Sequence, residues 1–216
     1  MLDTMNWSWA GLVALGAFHG INPGMGWLFA VALGMQAGSV RGVWRALAPI
    51  ALGHALAVGA ILAVASLAQM LIPLATLKVV VAGCLAAFGL HRLWRHRHPR
   101  FGGMQVGLRD LTLWSFLMAS AHGAGLMVLP LVMAMPADVL ASAHSHVHHV
   151  AASSTIPLLA VIAVGIHTAA YLATTALAAL VVYQRVGLRM LRTAWFNLDW
   201  LWAGALVVTG AFVLLT

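Results

Sequence analysis

Six long apolar runs, separated by short stretches that hold most of the charge, constrain this chain more than any other feature. A helix needs roughly 20 residues to cross a hydrocarbon layer about 30 Å thick. The runs at about 8–35, 46–70, 74–94, 111–135, 156–183 and 194–215 all reach that length. With 63% of 216 residues hydrophobic and 7% charged, there is more apolar side chain than one water-soluble domain of this size buries. The expected fold is an all-α polytopic membrane protein, a single transmembrane domain of six transmembrane helices.

The basic residues then orient the spans. Arg41 and Arg45 follow the first run; Arg92, Arg95, Arg97, Arg100 and Arg109 follow the third; Arg185, Arg189 and Arg192 follow the fifth. By the positive-inside rule these loops are cytoplasmic, which puts both termini and the loop 136–155 outside a bacterial-type inner membrane. Lys78 is the exception and reaches the interface by snorkelling. Trp7, Trp9, Trp94, Trp195, Trp200 and Trp202 sit near run ends, as an interfacial aromatic belt does.

The halves 8–94 and 111–215 resemble each other. Ala82 to Gly89 and Ala203 to Gly210 both fit AGxLxxxG, and FHGIN at Phe18 to Asn22 parallels AHGAG at Ala121 to Gly125. Gly53-His54 and Gly165-Ile166-His167 continue the series in the second and fifth runs. Three runs per half is an odd number, so the expectation is two inverted three-helix repeats, as in many secondary transporters.

Four histidines lie inside the runs: His19, His54, His122 and His167. Each follows the start of its run by about ten residues, or roughly 15 Å of helix, so all four fall at a similar depth. A single such residue reads equally as a structural hydrogen bonder. Four on four helices suggest either ligands for Ni, Co, Zn or Cu or a proton-coupling group.

Asn22, three residues after His19, and Tyr171 and Thr174, four and seven after His167, extend a polar stripe. Gly16, Gly20 and Gly24 give a flat face for close helix contact. Pro23-Gly24 marks a kink, or else a local unwinding that offers backbone groups to a substrate, with Met25 as a soft ligand or as packing.

A second cluster, His144, His146, His148 and His149, forms a His-rich outer loop that reads as a metal-collecting tract or as a plain polar loop. Asp199 is either an interfacial anchor or a coupling-ion carboxylate. Cys84, the only cysteine, excludes an intramolecular disulfide and a CxxC pair. The N-terminus lacks a signal peptide's basic start and cleavage site, so the first run is expected to stay. No HExxH, nucleotide-binding loop, acid pair or Ser/His/Asp set is present, which argues against an enzyme and for binding or transport.

The run from Asn22 to Ile61, with its Pro-Gly pair and spaced glycines, resembles the opening of lysine-exporter-type proteins; the third run and the AGxLxxxG of the sixth are similar to later helices of that family. GAFHGINPGMG, Gly16 to Gly26, is also similar to the GxxHAxxPGHG stretch of nickel/cobalt-efflux proteins, with Met25 in place of the second histidine. The resemblance implies a six-helix secondary exporter. The expected cargo is a transition-metal cation held by His19 and His122 with help from His54 and His167, exchanged for protons. Export of an amino acid or similar small metabolite, and a non-transporting metal-delivery factor, are the alternatives. No tightly bound cofactor is expected beyond the ion as substrate. The expected partners are the lipid bilayer and that small ion or metabolite, not nucleic acid, with self-association left open.

Overall fold

The structure, a computed structural model, describes residues 2–69, 71–94, 107–133, 151–186 and 198–215. Its α-helices are α1 (Leu2–Ile21), α2 (Trp27–Gln36), α3 (Val40–Ala68), α4 (Leu74–Trp94), α5 (Leu108–Ala121), α6 (Ala124–Met133), α7 (Ala151–Val181) and α8 (Leu198–Leu215). A 3₁₀ turn at Pro23–Met25 joins α1 to α2, and a π turn at Val182–Val186 extends α7.

The six-span architecture is not what these helices form. Among the described residues, two helices are long and apolar enough to cross a membrane, Val40–Ala68 and Ala160–Arg185; the count reaches three if the pair Leu108–Ala121 and Ala124–Met133, bent by 61°, is one span. The reason is local. The first apolar run is cut where Asn22 turns extended and caps a 3₁₀ turn begun by Pro23, and Gly26 takes a φ of +132°, leaving a ten-residue α2. The fourth is cut at Gly123, with a φ of +69°.

That count removes the frame for six transmembrane helices in two inverted three-helix repeats. With the frame go the inner-membrane secondary transporter, whether of metal ions by proton antiport or of metabolites, and the multi-pass placement with both termini outside. A bilayer partner and a membrane-bound delivery factor lose the same support.

What the helices do form is a densely packed bundle. α1 packs on α7, α5 on α3, and α4 on α8, while α3 also packs on α7. Each pairing is made at glycine. A Cβ at Gly16 would collide with the carbonyl of His167, and one at Gly53 with the carbonyl of Thr112, so these helices meet backbone to backbone. Removing the side chain at the contact is what lets two helices approach this closely.

α3 turns Val43, Ala46, Leu47, Ile50, Ala57 and Val58 inward and leaves Leu52, Leu56, Val64 and Leu67 exposed. It is apolar on both faces, so its inward orientation is selected by the glycine contact and by His54 rather than by a polar outer stripe.

The collision predicts opposite signs for one substitution. Gly53→Ala and Gly16→Ala should destabilise the fold by about 1–3 kcal/mol through overpacking. Gly59→Ala, where a Cβ meets nothing within 4 Å, should stabilise by up to about 1 kcal/mol through helix propensity. Denaturant titration of helical circular dichroism checks both.

Candidate functional site: a buried histidine cluster

The backbone approach of α1 to α7 fixes the centre of the molecule. It sets His19, near the end of α1, against His167 on α7, with ring centroids 5.1 Å apart. α3 brings His54 to both, 5.6 Å from His19 and 5.3 Å from His167, the latter pair stacked within 15°. All three side chains have 0% exposure.

Their ring nitrogens are not equivalent. His19 Nδ1 lies 2.7 Å from the carbonyl of Leu15, one turn back on its own helix, and His167 Nδ1 lies 3.2 Å from the carbonyl of Leu12 on α1. A carbonyl only accepts, so both Nδ1 atoms carry the proton and both Nε2 atoms carry a lone pair. Neither Nδ1 nor Nε2 of His54, nor Nε2 of His167, has a hydrogen-bond partner among the described residues, although all three atoms are buried. Burial, first, and the neighbouring His167, second, hold the pKa of His19 well below the usual imidazole value.

Tyr171 closes one side. Its ring stacks on His54 at 3.9 Å with 12° between planes, and its hydroxyl donates to the carbonyl of Met25 in the 3₁₀ turn. The other groups freed by the break are also taken. The Trp27 indole N–H donates to the Ile21 carbonyl at 2.9 Å, and the Asn22 side chain accepts from the Gly24 N–H at 3.0 Å. The chain does unwind here, and the freed carbonyls of Ile21 and Met25 are capped from inside the protein.

Several expected site residues therefore separate. Asn22 lies beyond the end of α1 and caps the turn instead of continuing a helical stripe, and the Thr174 hydroxyl bonds to Ala170 of its own helix at 3.0 Å. His122, 2% exposed, ends α5 with Nδ1 2.7 Å from the Met118 carbonyl, the same one-turn geometry as His19 and Leu15. It is near enough to act electrostatically on His19, whereas the ring contacts described above join His19, His54 and His167. Asp199 is on α8, with its side chain outside the described residues, and His144, His146, His148 and His149 lie outside them altogether.

Three participants went unread in the sequence. Trp27 as a cap had a signal, an indole placed just past a Pro-Gly break. The Leu12 carbonyl had none, because it is 155 residues from the histidine it orients. Ser115, whose hydroxyl donates to the Ile50 carbonyl at 2.6 Å beside Tyr171, shows only as one serine in an apolar run.

Chemically, the cluster is a set of imidazole bases with lone pairs inside the buried core. Ions bound at about 2.0–2.1 Å to imidazole nitrogens, with tetrahedral angles between them, place the ring centroids about 5 Å apart. The observed separations of 5.1–5.6 Å have that scale. Among the described residues no three His, Cys, Asp or Glu side chains stand in a metal-holding arrangement.

No protein-family model, no curated protein and no solved structure matches this chain. The likeness to lysine exporters and nickel/cobalt-efflux proteins rests on the short glycine-rich motifs alone.

Tyr171→Phe keeps the ring on His54 and leaves the Met25 carbonyl without its donor, so it should cost about 1–3 kcal/mol of stability. Thr174→Val, which removes a hydroxyl bonded only within its own helix turn, should cost less than half as much by the same denaturation measurement.

Proposed function

We propose that this chain is a transition-metal-binding protein whose site is made by His19, His54 and His167. One observation carries the reading: three buried imidazole nitrogens, two on His54 and one on His167, have no hydrogen-bond partner among the described residues. Leaving a buried polar atom without a partner costs about 1–3 kcal/mol, and a bound ion at this point would supply the missing partners.

The Nδ1 bonds to Leu15 and Leu12 support the same reading. A metal-bound histidine typically donates its other ring N–H to a carbonyl or carboxylate, which fixes the tautomer and aims the ligating nitrogen. His54, which makes ring contacts and no hydrogen bond among the described residues, would be the ring that turns to complete the set. Binding, not catalysis and not flux, is the activity proposed.

The test uses the full chain in mild detergent with His144, His146, His148 and His149 changed to Gln, so that the loop does not compete. Dialysis against Cu(I), Ag(I), Zn(II), Ni(II) and Co(II), followed by elemental analysis, should find one ion per chain for at least one metal. His54→Gln and His167→Gln should each weaken that binding by about tenfold or more, equivalent to about 1.4 kcal/mol, while His122→Gln leaves the stoichiometry unchanged. A helical protein that retains none of these ions contradicts the proposal and leaves internal water as the occupant.

A further inference from the structure

The three rings of the cluster are not held alike. His19 and His167 each give an Nδ1 proton to a carbonyl, of Leu15 and of Leu12, and that bond fixes both the tautomer and the direction of the ring. His54 has ring contacts with His19, His167 and Tyr171 and no hydrogen bond at either nitrogen among the described residues. The torsion that turns an imidazole about its Cβ–Cγ bond has only broad, two-fold preferences of its own. What sets the plane of the His54 ring is therefore packing.

Tyr171 is the nearest part of that packing. Its ring lies 3.9 Å from the His54 ring with 12° between planes, closer and more nearly parallel than either imidazole. The Tyr171 side chain is 0% exposed, its hydroxyl donates to the Met25 carbonyl, and the Ser115 and Thr175 hydroxyls lie beside that hydroxyl. The phenol is thus tied at both ends of its long axis and buried all round, which keeps it where the imidazole packs on it.

Ser115 serves the backbone of the same histidine. Its hydroxyl donates at 2.6 Å to the Ile50 carbonyl, which α-helical pairing also assigns to the backbone N–H of His54. The Ser115 Cβ is also among the atoms that a side chain at Gly53, the neighbour of His54, would meet, at 2.8 Å. α5 therefore locates the turn of α3 that carries His54, and α7 locates its ring.

An imidazole binds a metal along a nitrogen lone pair that lies in the ring plane, so a tilted ring is a poor ligand even where its Cα is in place. Groups that orient a ligating histidine typically contribute about tenfold to a hundredfold in metal affinity. We infer that Tyr171 and Ser115 are positioning residues of the ion site, acting through His54: Tyr171 holds the plane of its ring, and Ser115 holds the turn beneath it. This rests on the metal-binding reading above and makes a separate claim, about what orients the third ligand. The carbonyl that orients each of the other two rings is replaced at His54 by an aromatic face.

Equilibrium dialysis of the loop-substituted full chain against Cu(I), Ag(I), Zn(II), Ni(II) and Co(II), read on the ion retained most tightly, tests this through a double-mutant cycle. Tyr171→Leu, which removes the aromatic face, should weaken that ion by about tenfold or more, and Ser115→Ala by about threefold or more. In a His54→Gln background both substitutions should change affinity by less than about twofold, because the residue they act through is gone. A change that merely loosened the fold would weaken binding equally in both backgrounds, and that result overturns the inference while leaving a metal site in place. Unchanged affinity in the folded variants overturns it as well. Retention of none of the five ions by the folded, unsubstituted trio overturns the metal site and the inference together. Should Tyr171→Leu fail to fold, the Ser115→Ala pair decides alone.

Discussion

The backbone contact of α1 with α7 is the constraint from which the centre of the molecule follows. Because Gly16 and Gly20 carry no side chain, α1 lies against the carbonyls of His167 and Tyr171. At that distance the Leu12 carbonyl reaches His167 Nδ1 across the interface, and His19 is delivered to the His167 ring. A wider spacing would leave both imidazoles to find other partners. α3 approaches α5 in the same way through Gly53, the residue next to His54, so one device positions the second and third members of the cluster.

Around that contact the helix break at 22–26 is a consequence contained by its neighbours. Pro23 removes one helical N–H and Gly26 takes a positive φ, and every interior break creates carbonyls that need donors. Trp27 and Tyr171 meet that need, and Tyr171 does so while packed flat on His54. The break and the cluster are therefore mechanically joined: a shift of the His54 ring presses on Tyr171, and Tyr171 holds the Met25 carbonyl.

That four histidines lie inside the apolar runs was legible in the sequence, because imidazole is conspicuous there, and all four are buried. Which of them meet was not. Depth along a helix says nothing of its azimuth, and the azimuths here are set by glycine contacts between helices distant in sequence. His19 and His122 looked alike, each followed by Gly and each bonding the carbonyl one turn back, yet His54 and His167 are the ring partners of His19. The six-span reading failed for a different reason. Hydropathy counts apolar residues through a break, and the runs at 8–35 and 111–135 stayed apolar where Pro23, Gly26 and Gly123 divide their helices. Pro23-Gly24 was the visible warning; Gly123, inside a stretch of small residues, gave little.

The account turns on whether the three rings share one ion. X-ray absorption spectroscopy of the loop-substituted chain, loaded with a single equivalent of the metal it retains, reads this directly. The outer-shell scattering of imidazole should count three rings, with first-shell nitrogens at about 2 Å. His54→Gln should leave two of them. A spectrum with one imidazole or none, or one unchanged by His54→Gln, would place the ion elsewhere and contradict the account.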